Sequence, residues 1–249
     1  MGVMAGTGLR LRFAEELRLF LAPRYRSAAP FSAPYDGASS LGHVVQSLGV
    51  PLPEVGRLLA DGQEVPDSHR PRGGELIDVE AVPRPQRLPE TGLLLDVHLG
   101  TLARWLRLLG LDTEYRNDLD DDTLLARANT DRRVLLTQDR GLLKRRALWY
   151  GCYVRGAGPD EQLADVLDRF APRLAPWTRC MACNGRLVVA TKDEVEPLLQ
   201  PGTRRTYDVF SRCLSCGRAY WRGAHGGRLA ALVDRAQETV AARERRTGE

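Results

Sequence analysis

Near the amino end, Leu9, Leu11 and Phe13 alternate with Arg10 and Arg12. That period of two predicts a strand with one buried face. Ser40 precedes Leu41, Val44, Val45 and Leu48, which share one helical face, and Gly49 follows them. The spacing predicts a capped helix with a glycine stop. Leu58-Leu59-Ala60 runs into Asp61-Gly62, a hairpin signal, and residues 75–82 alternate again. From about residue 88 the texture changes. Leu93-Leu94-Leu95 and Val134-Leu135-Leu136 are short continuous apolar runs, as expected of strands buried on both faces. Helical spacing covers residues 99–109, stopped by Gly110, then residues 123–129 and 161–170. Weaker strands are expected over 112–116 and 153–154. Strand alternating with helix predicts a parallel α/β sheet. From about residue 173, short strands surround two C-x-x-C pairs, a helix is expected over 229–243, and a frayed end after it.

The order strand, strand, helix, strand, strand over the first 85 residues resembles a ubiquitin-like β-grasp fold of the sulfur-carrier type. Sulfur carriers end in a free Gly-Gly. Here the last strand continues into Val82-Pro83-Arg84-Pro85, so carrier chemistry is not expected. The stretch 83–89 reads as a stiff Pro-rich linker. It predicts that residues 1–85 can be removed while the remainder stays folded. The expected division is 1–85 for the β-grasp (α+β) domain, 88–172 for the α/β domain, 173–232 for a cysteine ribbon, and 233–249 for a helix and tail.

The chain has 249 residues, a net charge of +4 and a pI near 8.9. This mild basicity permits nucleic-acid binding without requiring it. No run approaches the ~18 apolar residues of a membrane span. Glu15 and Glu16 lie where a signal peptide is apolar, and Gly6 where N-myristoylation needs Ser or Thr. A cytoplasmic protein with no membrane partner is expected. Four of the five cysteines form the C-x-x-C pairs, which in a reducing compartment indicates metal rather than disulfides. Cys152 reads as a small buried hydrophobe.

Cys180-Met181-Ala182-Cys183 and Cys213-Leu214-Ser215-Cys216 each offer two thiolates from a tight turn. Together they complete the tetrahedron of a structural Zn²⁺ site; redox C-x-x-C chemistry is the alternative. Gly185 and Gly217 follow each pair, where the turn is expected to need positive φ. His225 is surplus to four ligands and is expected to pack beside Trp221.

Asp96 and Asp139 each come just past the carboxyl end of an expected parallel strand. Open α/β sheets bind ligands at that edge. Two carboxylates there repel, and Mg²⁺ relieves the repulsion. Between them, residues 118–122 read Asp-Leu-Asp-Asp-Asp before a helix. Aspartate in such places also serves as a turn former or helix cap, and both readings stand on spacing alone. Arg104 and Arg107 lie one helical turn apart, and Arg140, Lys144, Arg145 and Arg146 follow Asp139. They can hold RNA phosphates or form a solvated face. His98 is either a proton carrier or a packing residue at a helix start. Trp105, among leucines, is expected in the core.

One ordered set of motifs joins these residues. Residues 95–110 read LDVHLGTLARWLRLLG, followed by Asp120-Asp121-Asp122-Thr123-Leu124-Leu125-Ala126 and Leu135-Leu136-Thr137-Gln138-Asp139-Arg140. With Glu161-Gln162-Leu163, both C-x-x-C pairs and Tyr220-Trp221-Arg222-Gly223-Ala224-His225, this resembles the Mut-seven C-terminal RNase domain, a PIN-like nuclease family. A ubiquitin-like segment before that domain is a known family arrangement. The resemblance implies a PIN-like parallel sheet with flanking helices, followed by a zinc ribbon. It implies a metal-dependent ribonuclease that hydrolyses RNA with Mg²⁺ or Mn²⁺. Asp96 matches the first-strand aspartate, Asp139 the T-x-D aspartate, and Asp121 and Asp122 the acidic pair before the second helix. Glu161 matches as a fourth acid, and Asp96, Asp122 and Asp139 as metal ligands. Arg104, Arg107, Arg140 and Lys144 are the expected substrate contacts, and the β-grasp domain is open to a protein partner. The competing reading is a non-catalytic RNA- or ribonucleoprotein-binding module. A toxin-like tRNA nuclease is disfavoured, because PIN-class toxins are short single domains.

Overall fold

The computed structural model of the protein describes residues 8–221 and 226–247. Gly6 and His225 therefore lie outside the described residues, as does the segment from Arg222 to Ala224. Packing divides the chain into two units, Met1–Pro83 with Thr137–Tyr153, and Arg84–Leu136 with Val154–Glu249. This division departs from the expected one. The segment after the second apolar strand groups with the β-grasp fold, and the cysteine ribbon shares a unit with the parallel sheet.

The first unit opens with β1 (Leu9–Phe13), β2 (Phe31–Ala33), α1 (Leu41–Ser47), β3 (Val55–Ala60), β4 (Gln63–Val65) and β5 (Leu76–Ala81). The sheet order is β2-β1-β5-β3-β4, with β1 and β5 parallel and the other neighbours antiparallel. Leu9, Leu11 and Phe13 face inward with Leu41, Val45 and Ile77. The side chain of Ser40 accepts the His43 N–H, the expected cap. Asp61 and Gly62, at φ +46° and +80°, turn β3 into β4. Strand β4 escaped the periodicity because none of its three residues is buried. A 3₁₀ segment, Glu15–Phe20, buries Leu17 and Phe20 at a spacing of three.

The second unit begins with β6 (Leu93–Leu95), α2 (Gly100–Leu108), β7 (Thr113–Tyr115), α3 (Asp121–Thr130) and β8 (Val134–Thr137). Strands β7 and β8 pair with β6 on either side, both in parallel. Leu93–Leu95 and the paired Val134, Leu135 and Leu136 are all fully buried. Each such leucine contributes roughly 1.5–3 kcal/mol by leaving water.

The following segment holds α4 (Arg140–Leu143) and β9 (Gly151–Tyr153) and belongs to the first unit. The Arg140 guanidinium donates to the carbonyls of Leu19 and Phe20 and lies over the Phe20 ring. Tyr153 meets Phe20 edge-on at 4.9 Å, and its N–H donates to Oε1 of the fully buried Glu54. These contacts run between the β-grasp residues and the chain after Thr137.

The rest of the second unit comprises α5 (Pro159–Phe170), β10 (Leu187–Ala190), α6 (Lys192–Val195), α7 (Pro201–Thr206), β11 (Phe210–Cys213), β12 (Ala219–Trp221) and α8 (Gly226–Thr247). Strands β10, β11 and β12 form an antiparallel ribbon over a small core of Ala190, Val195, Leu199 and Phe210. The Pro-rich stretch is not a free linker. Arg84 pairs with Asp165 and Asp168 on α5, and Gln86 exchanges hydrogen bonds with the fully buried Arg169. Arg243 on α8 donates to the Arg84 carbonyl and pairs with Asp168. The expected fraying from residue 243 is thus replaced by helix through Thr247.

Candidate metal centre and acidic site

The four thiols meet at one point. Their sulfurs all lie within 4.8 Å of one another, with Cys180 to Cys216 at 3.7 Å and Cys183 to Cys213 at 3.5 Å. A tetrahedral ion with metal–sulfur bonds of ~2.3 Å needs sulfur–sulfur edges of about 3.8 Å, so the set fits a closed four-thiolate site. Each knuckle is shaped by its backbone. The Cys180 N–H donates to the Gly185 carbonyl and the Asn184 N–H to the Cys180 carbonyl. Positive φ falls on Asn184 (+68°) and Gly217 (+72°), so the expectation holds for Gly217 and moves by one residue in the first knuckle. Gly185 is required for a different reason: a Cβ there would come within 2.9 Å of the Cys213 sulfur.

The Tyr220 hydroxyl lies 2.9 Å from the Cys180 sulfur. Burial pushes the Cys180 thiol up, but Tyr220 and the amides of Cys183 and Ala182 outweigh it, and the thiol falls to about 6. Burial raises Cys183 to about 12, its neighbouring sulfurs adding to the shift. Burial and the adjacent sulfur raise Tyr220 as well, which keeps its proton available to a thiolate.

The knuckle is joined to the parallel sheet by a polar network. Asp112 accepts from Arg133, Asn184 and Arg179 at 2.8, 2.9 and 3.1 Å. Asn184 Oδ1 accepts the Thr113 N–H. Burial pushes the Asp112 carboxyl up, yet the donors Arg133 and Asn184 and the charges of Arg133 and Arg179 hold it below its ordinary value. Arg107 is buried, and its guanidinium donates to the carbonyls of Thr113, Met181 and Ala182. Arg107 is therefore corrected from a substrate contact to a brace for the first knuckle. Arg140 also spends donors on backbone, the Leu19 and Phe20 carbonyls. Arg104 is exposed on α2 and Lys144 half-buried after α4. Trp105 is half-buried, and Cys152 is fully buried as expected.

The acidic residues occupy separate elements. Asp96 follows β6 directly, is 7% exposed, and its N–H donates to the Leu136 carbonyl of β8. Its side chain does not cap the 3₁₀ turn Val97–Leu99. That turn is pinned by the Tyr115 hydroxyl, which donates to the Val97 carbonyl. A Cβ on Gly100 would come within 2.6 Å of the same hydroxyl, so the glycine admits the ring. Asp121 and Asp122 stand exposed in the first turn of α3, which Asp120 caps through the Thr123 N–H. Asp139 is the cap of α4. Its Oδ1 accepts the N–H groups of Gly141 and Leu142, and its own N–H donates to the Thr137 hydroxyl, which explains the T-x-D spacing. Glu161 accepts the Ala157 N–H and closes the loop before α5. Among the described residues of the second unit, Asp96, Asp121, Asp122 and Glu161 do not form a cluster like that of the cysteines. Sequence reasoning missed Tyr115 and Asn184, and quoted Tyr220 only as part of a motif, without its bond to Cys180. A tyrosine or asparagine acting through one hydrogen bond leaves no periodic signal.

A ubiquitin-like fold, a helix-flanked parallel sheet with an aspartate past β6, and a four-cysteine cluster make this a mixed α/β protein. Residues 91–233 match the Mut7-C RNAse domain, and residues 6–87 match the Mut7-C ubiquitin domain. The chain belongs to the Mut7-C RNAse domain family. No curated protein and no solved structure matches the chain. Among the described residues no helix is long and apolar enough to cross a membrane.

Proposed function

We propose that the protein is a metal-dependent ribonuclease that hydrolyses RNA phosphodiester bonds in the cytoplasm. The observation that carries the reading is Asp96: a carboxylate almost removed from water, at the carboxyl end of the central strand, on a turn fixed by Tyr115. Asp96, Asp122 and Asp139 are the proposed ligands of Mg²⁺ or Mn²⁺, with Asp121 and Glu161 as further acids of the same site. Asp139 fits this task alongside its cap, because both cap bonds fall on Oδ1 and Oδ2 remains for a cation. The bound ion would supply an activated water and charge neutralisation at the leaving oxygen. Arg104 and Lys144 are the proposed cations for RNA phosphates.

The cysteines are proposed to hold a structural zinc ion. The support is the tetrahedral fit of their sulfurs and the shared brace of Arg107 and Asp112. Cleavage of labelled single-stranded RNA with Mn²⁺, against the same RNA in EDTA, tests the enzyme reading. Binding without cleavage by pure, zinc-loaded protein would replace it with the binding-module reading.

A further inference from the structure

A cleft of about 620 Å³ lies within the first unit, between the β-grasp fold and the chain that follows α4. His43 and Arg70 line it from the β-grasp side, and Arg145 and Arg146 from the other. Asp67 is the one carboxylate in its lining. Leu52, Leu143 and Leu148 give it an apolar floor. All three arginines are exposed.

Both walls are fixed. On the β-grasp side, the Leu41 N–H donates to the His69 carbonyl and the Gly42 N–H to the Asp67 carbonyl, holding the loop that carries Arg70 against α1. On the other side, Arg140 and Tyr153 clamp the segment onto Phe20 and Glu54. The backbone segments that carry the cations are therefore held on either side of the cleft.

We infer that this cleft binds the phosphodiester backbone of single-stranded RNA, and that the β-grasp fold contributes part of the RNA-binding surface through Arg70. Three guanidinium groups against one carboxylate favour a polyanion, and guanidinium forks match phosphate oxygens two at a time. The apolar floor suits the sugar faces between phosphates. Arg145 and Arg146 come shortly after α4, on the same segment that Asp139 caps. The inference rests on the reading that the chain acts on RNA, but binding is measured without cleavage.

The experiment uses the full chain in EDTA, with labelled single-stranded RNA titrated over a range of salt. Each phosphate contact on a single strand adds roughly 0.7 to the slope of log affinity against log salt. Arg70→Gln should lower that slope by about 0.7 and weaken binding several-fold at low salt. Arg70→Gln with Arg145→Gln and Arg146→Gln should lower the slope by about 2. Arg10→Gln, outside the cleft, should leave the slope unchanged. Melting temperatures confirm that each variant is folded. Wild-type affinity and slope in the triple variant would overturn the inference, as would an equal loss in Arg10→Gln. If wild type binds with the expected slope but never cleaves with Mn²⁺, the cleft stands and the ribonuclease reading falls. If cleavage is intact and Arg70→Gln binds as wild type, the reverse holds.

Discussion

In the ribbon, four side chains of one kind close around a single point, and every neighbour serves that point: Asn184 turns the knuckle, Arg107 braces it, and Tyr220 touches a sulfur. The proposed acids, by contrast, sit on four elements, and several have local backbone duties. Asp139 caps α4, Glu161 closes a loop, and Asp121 and Asp122 stand in a helix's first turn. The difference follows from the chemistry of the ligands. Thiols are weakly solvated and gather without a large penalty. Carboxylates repel until a cation neutralises them, so a scaffold must carry them by other bonds. A closed site of this kind organises its own surroundings, while an open one is arranged by the fold around it.

The largest expected effect removes the closed site. Cys180→Ser or Cys216→Ser should abolish about one zinc per chain and unfold the ribbon, because structural zinc contributes on the order of 10 kcal/mol of apparent binding energy. Metal analysis with circular dichroism reads the outcome; an intact ribbon without zinc would erase the contrast drawn above.

Next is the scaffold beneath Asp139. Phe20→Ala should cost about 3–5 kcal/mol by denaturant melting. Because Arg140 and Tyr153 pack on that ring, amide exchange should rise across Thr137–Tyr153 as well as in the β-grasp sheet. Exchange confined to the β-grasp sheet would mean that the two segments are independent after all.

A smaller effect joins the ribbon to the sheet. Asp112→Asn should destabilise by about 1–3 kcal/mol at neutral pH, as expected for hydrogen bonds to charged groups. The folded carboxyl lies below its ordinary value, so its contribution is present above the unfolded pKa and is lost as pH falls through the folded one. The gap between variant and wild type should therefore close in the acid range, below about pH 4. A gap independent of pH would show that the charge of Asp112 does not matter.

The smallest effect separates cap from ligand. Asp139→Ala should cost about 1 kcal/mol in EDTA and Asp139→Asn only a few tenths, since asparagine caps as well as aspartate. Equal losses would mean that the cap is not formed in solution.

Much of this organisation was legible in the chain. The alternation at Leu9, Leu11 and Phe13, the leucine runs of β6 and β8, and the C-x-x-C pairs each bind one residue type to one geometry. Arg107 was not legible, because a helix-face arginine one turn from Arg104 looks solvated until β7 and the first knuckle bury it. The packing of Arg140 and Tyr153 on Phe20 was equally hidden, since it joins positions distant in the chain through one ring, the Leu19 and Phe20 carbonyls and the Glu54 carboxylate. The knuckle glycines were half legible: φ at Asn184 and sulfur clearance at Gly185 divide a task that the spacing assigned to one residue.

The most direct test of the proposed ribonuclease compares wild type, Asp96→Asn and Asp139→Asn. Melting temperature with and without Mn²⁺ is measured beside cleavage of labelled single-stranded RNA. The account predicts that each variant is folded in EDTA, gains less stability from Mn²⁺ than wild type, and loses cleavage by at least about a hundredfold, or ~2.7 kcal/mol in the barrier. Full Mn²⁺-dependent cleavage in either variant would contradict it.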